Sequence, residues 1–182
     1  MREARLTPRA ALDLARPFTL LAPVVGVACA AAVAAAALGA PWLSFRLLAA
    51  SLAAACATAC SNAWNQVFDL DVDRLNKPHR PLPSGRATPR AALGLGAVGA
   101  VLALGLAALV SIPFLACVAV GIAATWVYSA PPLRLKKRVL GALLAIAIPR
   151  GLLVPVAGWS VVAVPDATDP WALGVVAFLY VF

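Results

Sequence analysis

Asn65, Asp69 and Asp73 recur at intervals of four at the end of a long apolar run. On a helix each is rotated only about 40° from the last, so the three form one polar stripe. Two carboxylates one turn apart offer hard oxygen ligands to magnesium and leave coordination positions for phosphate oxygens and water. Asn65 can add a neutral oxygen or orient a water molecule. The cations Arg74, Lys77 and Arg80 follow, and then the turn-forming run Pro81-Leu82-Pro83-Ser84-Gly85. Acceptors for a hard cation beside cations for an anion suit magnesium and a phosphate-bearing substrate. Asp71 lies roughly 160–200° off the stripe and is the least suited of the three aspartates. The same residues also fit an acidic helix end paired with Arg74 and Lys77 in solvent. Spacing alone does not choose.

The elements that must position this stripe are membrane spans. The 182 residues are 63% hydrophobic and 12% charged, against about 45–50% and 25% for a soluble domain. Apolar runs at 18–38, 43–64, 91–110, 112–128 and 139–159 are each close to the ~20 residues a bilayer core requires. A sixth run, 171–182, covers only about 18 Å at the helical rise. The expected fold is an all-α, polytopic transmembrane bundle forming one membrane domain. The first 16 residues, with Thr7-Pro8 as cap and first position, suggest an interfacial helix.

The net charge of +8 is no sign of nucleic acid, because the cations are sorted by loop. Thirteen of the fifteen basic residues fall N-terminally, between Arg74 and Arg90, or between Arg134 and Arg138. The positive-inside rule places these three regions at the cytoplasmic face of a cell (inner) membrane and Asp166 and Asp169 outside. Arg46 and Arg150 are the exceptions. A mid-membrane arginine costs about 2.5–3.5 kcal/mol on insertion scales, so Arg150 should face the bundle interior. There it would contact a substrate anion or satisfy carbonyls freed around Pro149 and Pro155. Cys29, Cys56, Cys60 and Cys117 form no CxxC pair and suit small buried positions. His79, in the polar loop, fits either a substrate contact or a solvated loop residue.

The whole segment NQVFDLDVDRLNKPHRPLPSG resembles the first aspartate-rich motif of the UbiA family of intramembrane prenyltransferases. Arg16-Pro17-Phe18-Thr19 is similar to that family's entry to its first helix. Tyr128 to Lys136, YSAPPLRLK, is similar to its helix 4–5 loop. The resemblance covers nearly the entire chain. It implies magnesium-dependent ionisation of a polyprenyl diphosphate to an allylic cation and transfer of the prenyl group to an acceptor. Asn65, Asp69 and Asp73 match the metal motif. Tyr128, Arg134 and Lys136 match the loop that holds diphosphate or stabilises the cation, and Lys77 and Arg80 supply further basic contacts.

The motif with the Arg150-Gly151 pair looks most like branches with an aromatic acceptor of the quinone or tocopherol type. The same segments also look like chlorophyll synthase and archaeal ether-lipid synthases. The family has nine spans and a second aspartate-rich motif. The expectation is therefore an N-terminal portion that is inactive alone. A non-catalytic membrane scaffold, with the stripe as an ion-pair network, is the reading from another class.

Overall fold

The computed structural model describes residues 6–164 and Gly174. A short helix, α1 (Pro8–Ala15), leads into α2 (Pro17–Leu38), α3 (Phe45–Phe68), α4 (Leu70–Asn76), α5 (Pro89–Ala108) and α6 (Ile112–Ser129). After a 3-10 turn at Leu135–Lys137 come α7 (Val139–Ile148), a π turn (Pro149–Leu153) and α8 (Val154–Trp159). No strand occurs among the described residues. Five stretches are long and apolar enough to cross a bilayer: α2, α3, α5, α6 and the composite Val139–Trp159. The short sixth run, Asp166 and Asp169 lie outside the described residues.

Local chemistry sets the helix starts. The side chains of Thr7, Ser44, Thr88 and Ser111 accept from the backbone N–H three residues on, at α1, α3, α5 and α6 respectively. Three of these helices also carry proline in their first positions, where its missing N–H is harmless. Gly39, at φ 61°, closes α2 in the left-handed region that a glycine enters without strain.

Helix α3 is the centre of the bundle, packing on α1, α2, α5 and α6. Its contact face is alanine-rich: Ala49, Ala50, Ala53 and Ala54 join Val27, Ala31, Ala103 and Phe114 in the main buried cluster. In lipid no hydrophobic force drives helices together, so small residues stabilise the bundle by close backbone approach. The contact of α2 with α8 shows how close. A Cβ on Gly158 would sit 2.4 Å from Ala30 Cβ and 2.8 Å from the Val27 carbonyl oxygen.

As the helical spacing of the stripe requires, the helix of the second span runs past residue 64 and ends at Phe68. Three expectations change. The stripe is not one uninterrupted helix. Asp69, at φ −103° and ψ 8°, separates α3 from α4, although Asp69 N–H still reaches Asn65 O and Asp73 N–H still reaches Asp69 O. Arg150 does not pack into the interior of the five described spans. It is exposed, in the π turn. Pro149 lacks an N–H and the ring of Pro155 crowds the carbonyl of Gly151, so the ladder opens by one residue at this turn. Cys60 is buried as expected, but Cys29 faces out.

Candidate active site

The stripe meets two loops at one end of the bundle. From the far side of the sequence, the last residue of α6 and the segment after it grip the end of α3 at three points. Ser129 Oγ donates to Asn65 Oδ1 at 2.9 Å. The guanidinium of Arg134 donates to the Phe68 carbonyl at 2.5 Å. Lys136 Nζ donates to Asn65 Oδ1 at 3.0 Å and to Asp69 Oδ1 at 2.5 Å. A helix that breaks at Asp69 leaves main-chain carbonyls without helical partners, and Arg134 satisfies one of them. Arg134 is itself in the left-handed region at φ 40°, and its buried Nε has no partner among the described residues.

The second grip is local. Arg80 Nη1 donates to Asp73 Oδ2 at 2.6 Å, with the Asp73 side chain only 5% exposed. Asp71 is 95% exposed and pairs with Arg74 at 3.1 Å, so Asp71 and the solvent-side pairing lie off the stripe together. The stripe carboxylates are thus held by Lys136 and Arg80, not by Arg74 and Lys77. Opposite charges, mostly out of water, interact more strongly than an exposed pair would.

Asn65, Asp69 and Asp73 provide only oxygen donors, the chemistry magnesium takes. Two of them, Asn65 Oδ1 and Asp69 Oδ1, already converge on one cation, the Lys136 ammonium. The donors therefore fit a divalent cation. Among the described residues no three His, Cys, Asp or Glu side chains gather into a complete metal cage. A bound ion would keep positions for phosphate oxygens and water.

The structure brings Asn65, Asp69, Asp73, Arg80, Arg134 and Lys136 together at this mouth. Lys77 is exposed just past α4, with no side-chain bond among the described residues. Tyr128 is half-buried, one residue before Ser129. Arg150 is not part of the cluster; at the helical rise it lies about 16 Å along its span from Val139. The carbonyl of His79 accepts from Arg86, while its side chain is exposed.

Sequence reasoning missed the supports. Gln66 Nε2 donates to the Leu14 carbonyl, and Asn62 Nδ2 donates to the Ala15 carbonyl and Thr19 Oγ1, tying the α1–α2 junction to α3. Arg86 bridges Asp13 at 2.6 Å to the motif loop. Polar residues at i and i+4 inside an apolar span were the available signal for Asn62 and Gln66. Below the mouth, Trp126 packs edge-on against Trp64 and Phe68, with ring centroids 5.1 and 5.3 Å apart.

Comparison with known proteins agrees with the fold. The model of the UbiA prenyltransferase family matches residues 24–182. Digeranylgeranylglyceryl phosphate synthase of Methanopyrus kandleri is 37% identical over 125 residues, 66% of this chain and 43% of that protein. Chloroplastic 2-acylphloroglucinol 4-prenyltransferase of Humulus lupulus is 37% identical over 108 residues, 57% of this chain and 26% of that protein. A UbiA homolog from Archaeoglobus fulgidus bound to DMAPP and Mg2+ has the same fold, with a TM-score of 0.77 at 24% identity over 93% of this chain and 60% of that one. The chain spans less than half the length of these two curated relatives.

Proposed function

This chain belongs to the UbiA prenyltransferase family, and we propose that its Asp69–Asp73 mouth serves magnesium-dependent transfer of a prenyl group from a polyprenyl diphosphate to an aromatic acceptor. One observation carries the reading: two carboxylates one turn apart, each paired with a cationic side chain, stand at the end of an apolar helix bundle. Asn65, Asp69 and Asp73 would hold the metal. Bound there, it would supply charge stabilisation for the departing diphosphate. Lys136 and Arg80, with Lys77 and Arg134, are the diphosphate contacts in this reading. The support for metal and diphosphate at this mouth is its own donor chemistry: three oxygen-bearing side chains beside basic ones.

The residues divide the work physically. The basic side chains stabilise negative charge that grows as the carbon–oxygen bond breaks and diphosphate leaves with the bonding pair. Tyr128 offers a ring face to the allylic cation. The apolar helix walls keep water from competing with the acceptor. A carbon–carbon bond then forms to the aromatic ring, whose proton is lost to solvent. The bilayer receives the prenyl chain, and the sorted basic loops favour a mouth on the cytoplasmic side.

The acceptor is tested directly. Relatives of equal identity carry the names of a glyceryl phosphate lipid synthase and a phloroglucinol prenyltransferase, so similarity leaves the choice to assay. Membranes holding the full product of the gene are given magnesium, labelled geranylgeranyl diphosphate and one of three acceptors: an aromatic diol, a chlorophyllide or a geranylgeranylglyceryl phosphate. The expected product is the prenylated aromatic ring. Preference for either other acceptor would replace the aromatic assignment, and no transfer to any of them would overturn prenyl transfer with these substrates.

A further inference from the structure

Lys136 stands in an informative position. Its ammonium bonds both Asn65 Oδ1 and Asp69 Oδ1, two of the three oxygens assigned to the metal. The lysine is largely buried, at 12% exposure, and these two acceptors are its only side-chain partners among the described residues. A buried ammonium without a partner is strongly disfavoured, so Lys136 cannot leave Asp69 for nothing. A divalent cation taking the same two oxygens would repel the ammonium and weaken its hold on them.

We propose that Lys136 is an internal counterion that the metal displaces: it occupies the Asn65–Asp69 acceptors before substrate binds, then changes partner from Asp69 to the incoming diphosphate. This rests on the metal–diphosphate reading above and adds an exchange to it. No bond is made or broken covalently; one cation replaces another on a carboxylate. Metal alone must then compete with Lys136 and binds weakly, whereas metal with diphosphate gives the lysine a new anion. The two ligands reinforce each other by reciprocal linkage. Lys137, the next residue, is exposed and carries the same charge without touching the stripe. It is the natural control for charge alone.

The test uses manganese as the probe, without diphosphate, on the purified protein in nanodiscs. Free manganese is read by electron paramagnetic resonance for wild type, Lys136→Met, Lys137→Met and Asp69→Asn. Displacement predicts that Lys136→Met binds manganese about tenfold more tightly than wild type, the scale of one lost charge-assisted hydrogen bond. Lys137→Met should change it by about twofold or less, as an exposed charge does. In wild type, saturating manganese should also raise labelling of Lys136 by an amine reagent, read by peptide mass spectrometry. Asp69-dependent binding with equal affinities in both lysine variants and unchanged labelling would overturn the exchange while leaving the metal site standing. Manganese binding that is absent, or indifferent to Asp69, would overturn the metal reading and the exchange with it.

Discussion

Lys136 Nζ lies 2.5 Å from Asp69 Oδ1, although the two residues are 67 positions apart in the chain. That contact joins the loop after α6 to the end of α3 and makes one mouth of two separate polar segments. With Arg80 on Asp73, it leaves neither stripe carboxylate without a cation.

Topology gives the first prediction. Lys77 and Lys137 are exposed on loops that the ion pairs bring to the same end of the bundle. Single Lys77→Cys and Lys137→Cys variants, made after the native cysteines are replaced, should both react with an impermeant thiol reagent from the cytoplasmic side. Labelling from opposite faces would contradict the shared mouth, and labelling of both from outside would reverse the orientation.

The second prediction concerns packing. Gly158→Ala places a methyl group 2.4 Å from Ala30 Cβ and against the backbone of α2, whereas Gly94 has nothing within 4 Å. Overpacking of this kind costs about 1–3 kcal/mol. Thermal unfolding in detergent should show a clearly lower midpoint for Gly158→Ala, and an equal or higher one for Gly94→Ala, since alanine favours helix. Equal midpoints for wild type and Gly158→Ala would mean that α2 and α8 are not so closely packed.

A third prediction follows from Gln66, buried at 3% exposure and bonded to the Leu14 carbonyl. Gln66→Leu leaves that carbonyl without its donor, at a cost of about 1–3 kcal/mol. Helix α1 should loosen, and proteolysis near Asp13 should become several-fold faster. An unchanged cleavage rate would show that the Asp13–Arg86 pair, the Asn62 bond to the Ala15 carbonyl and the apolar cluster of Leu14 and Leu82 hold α1 without Gln66.

The parts of this site that were legible in the sequence are those governed by local periodicity. The Asn65, Asp69 and Asp73 stripe follows from the helical repeat, and the caps at Thr7 and Thr88 follow from side-chain chemistry three residues away. Asp71 is off the stripe for the same reason. The family resemblance put Arg134 and Lys136 in the same site, but not their bonds: Ser129 and Lys136 meet Asn65 across 64 and 71 residues, and no local rule carries such pairings. The break at Asp69 was also hidden, because a side chain from another loop, Arg134, satisfies the freed carbonyl. Arg150 was expected inside on the cost of burying charge; among the described residues it is exposed, in the π turn Pro149–Leu153.

The most direct measurement compares prenyl transfer by Asp69→Asn, Asp73→Asn and Asp71→Asn in membranes containing the full gene product, with magnesium and labelled geranylgeranyl diphosphate. Asn keeps the shape and removes the charge. Loss of electrostatic stabilisation should lower transfer at least about 100-fold for Asp69→Asn and for Asp73→Asn. Asp71→Asn, which removes an exposed pair with Arg74, should stay within about twofold of wild type. Equal loss in all three, or near wild-type transfer by Asp69→Asn and Asp73→Asn, would contradict a metal–diphosphate site on this helix face.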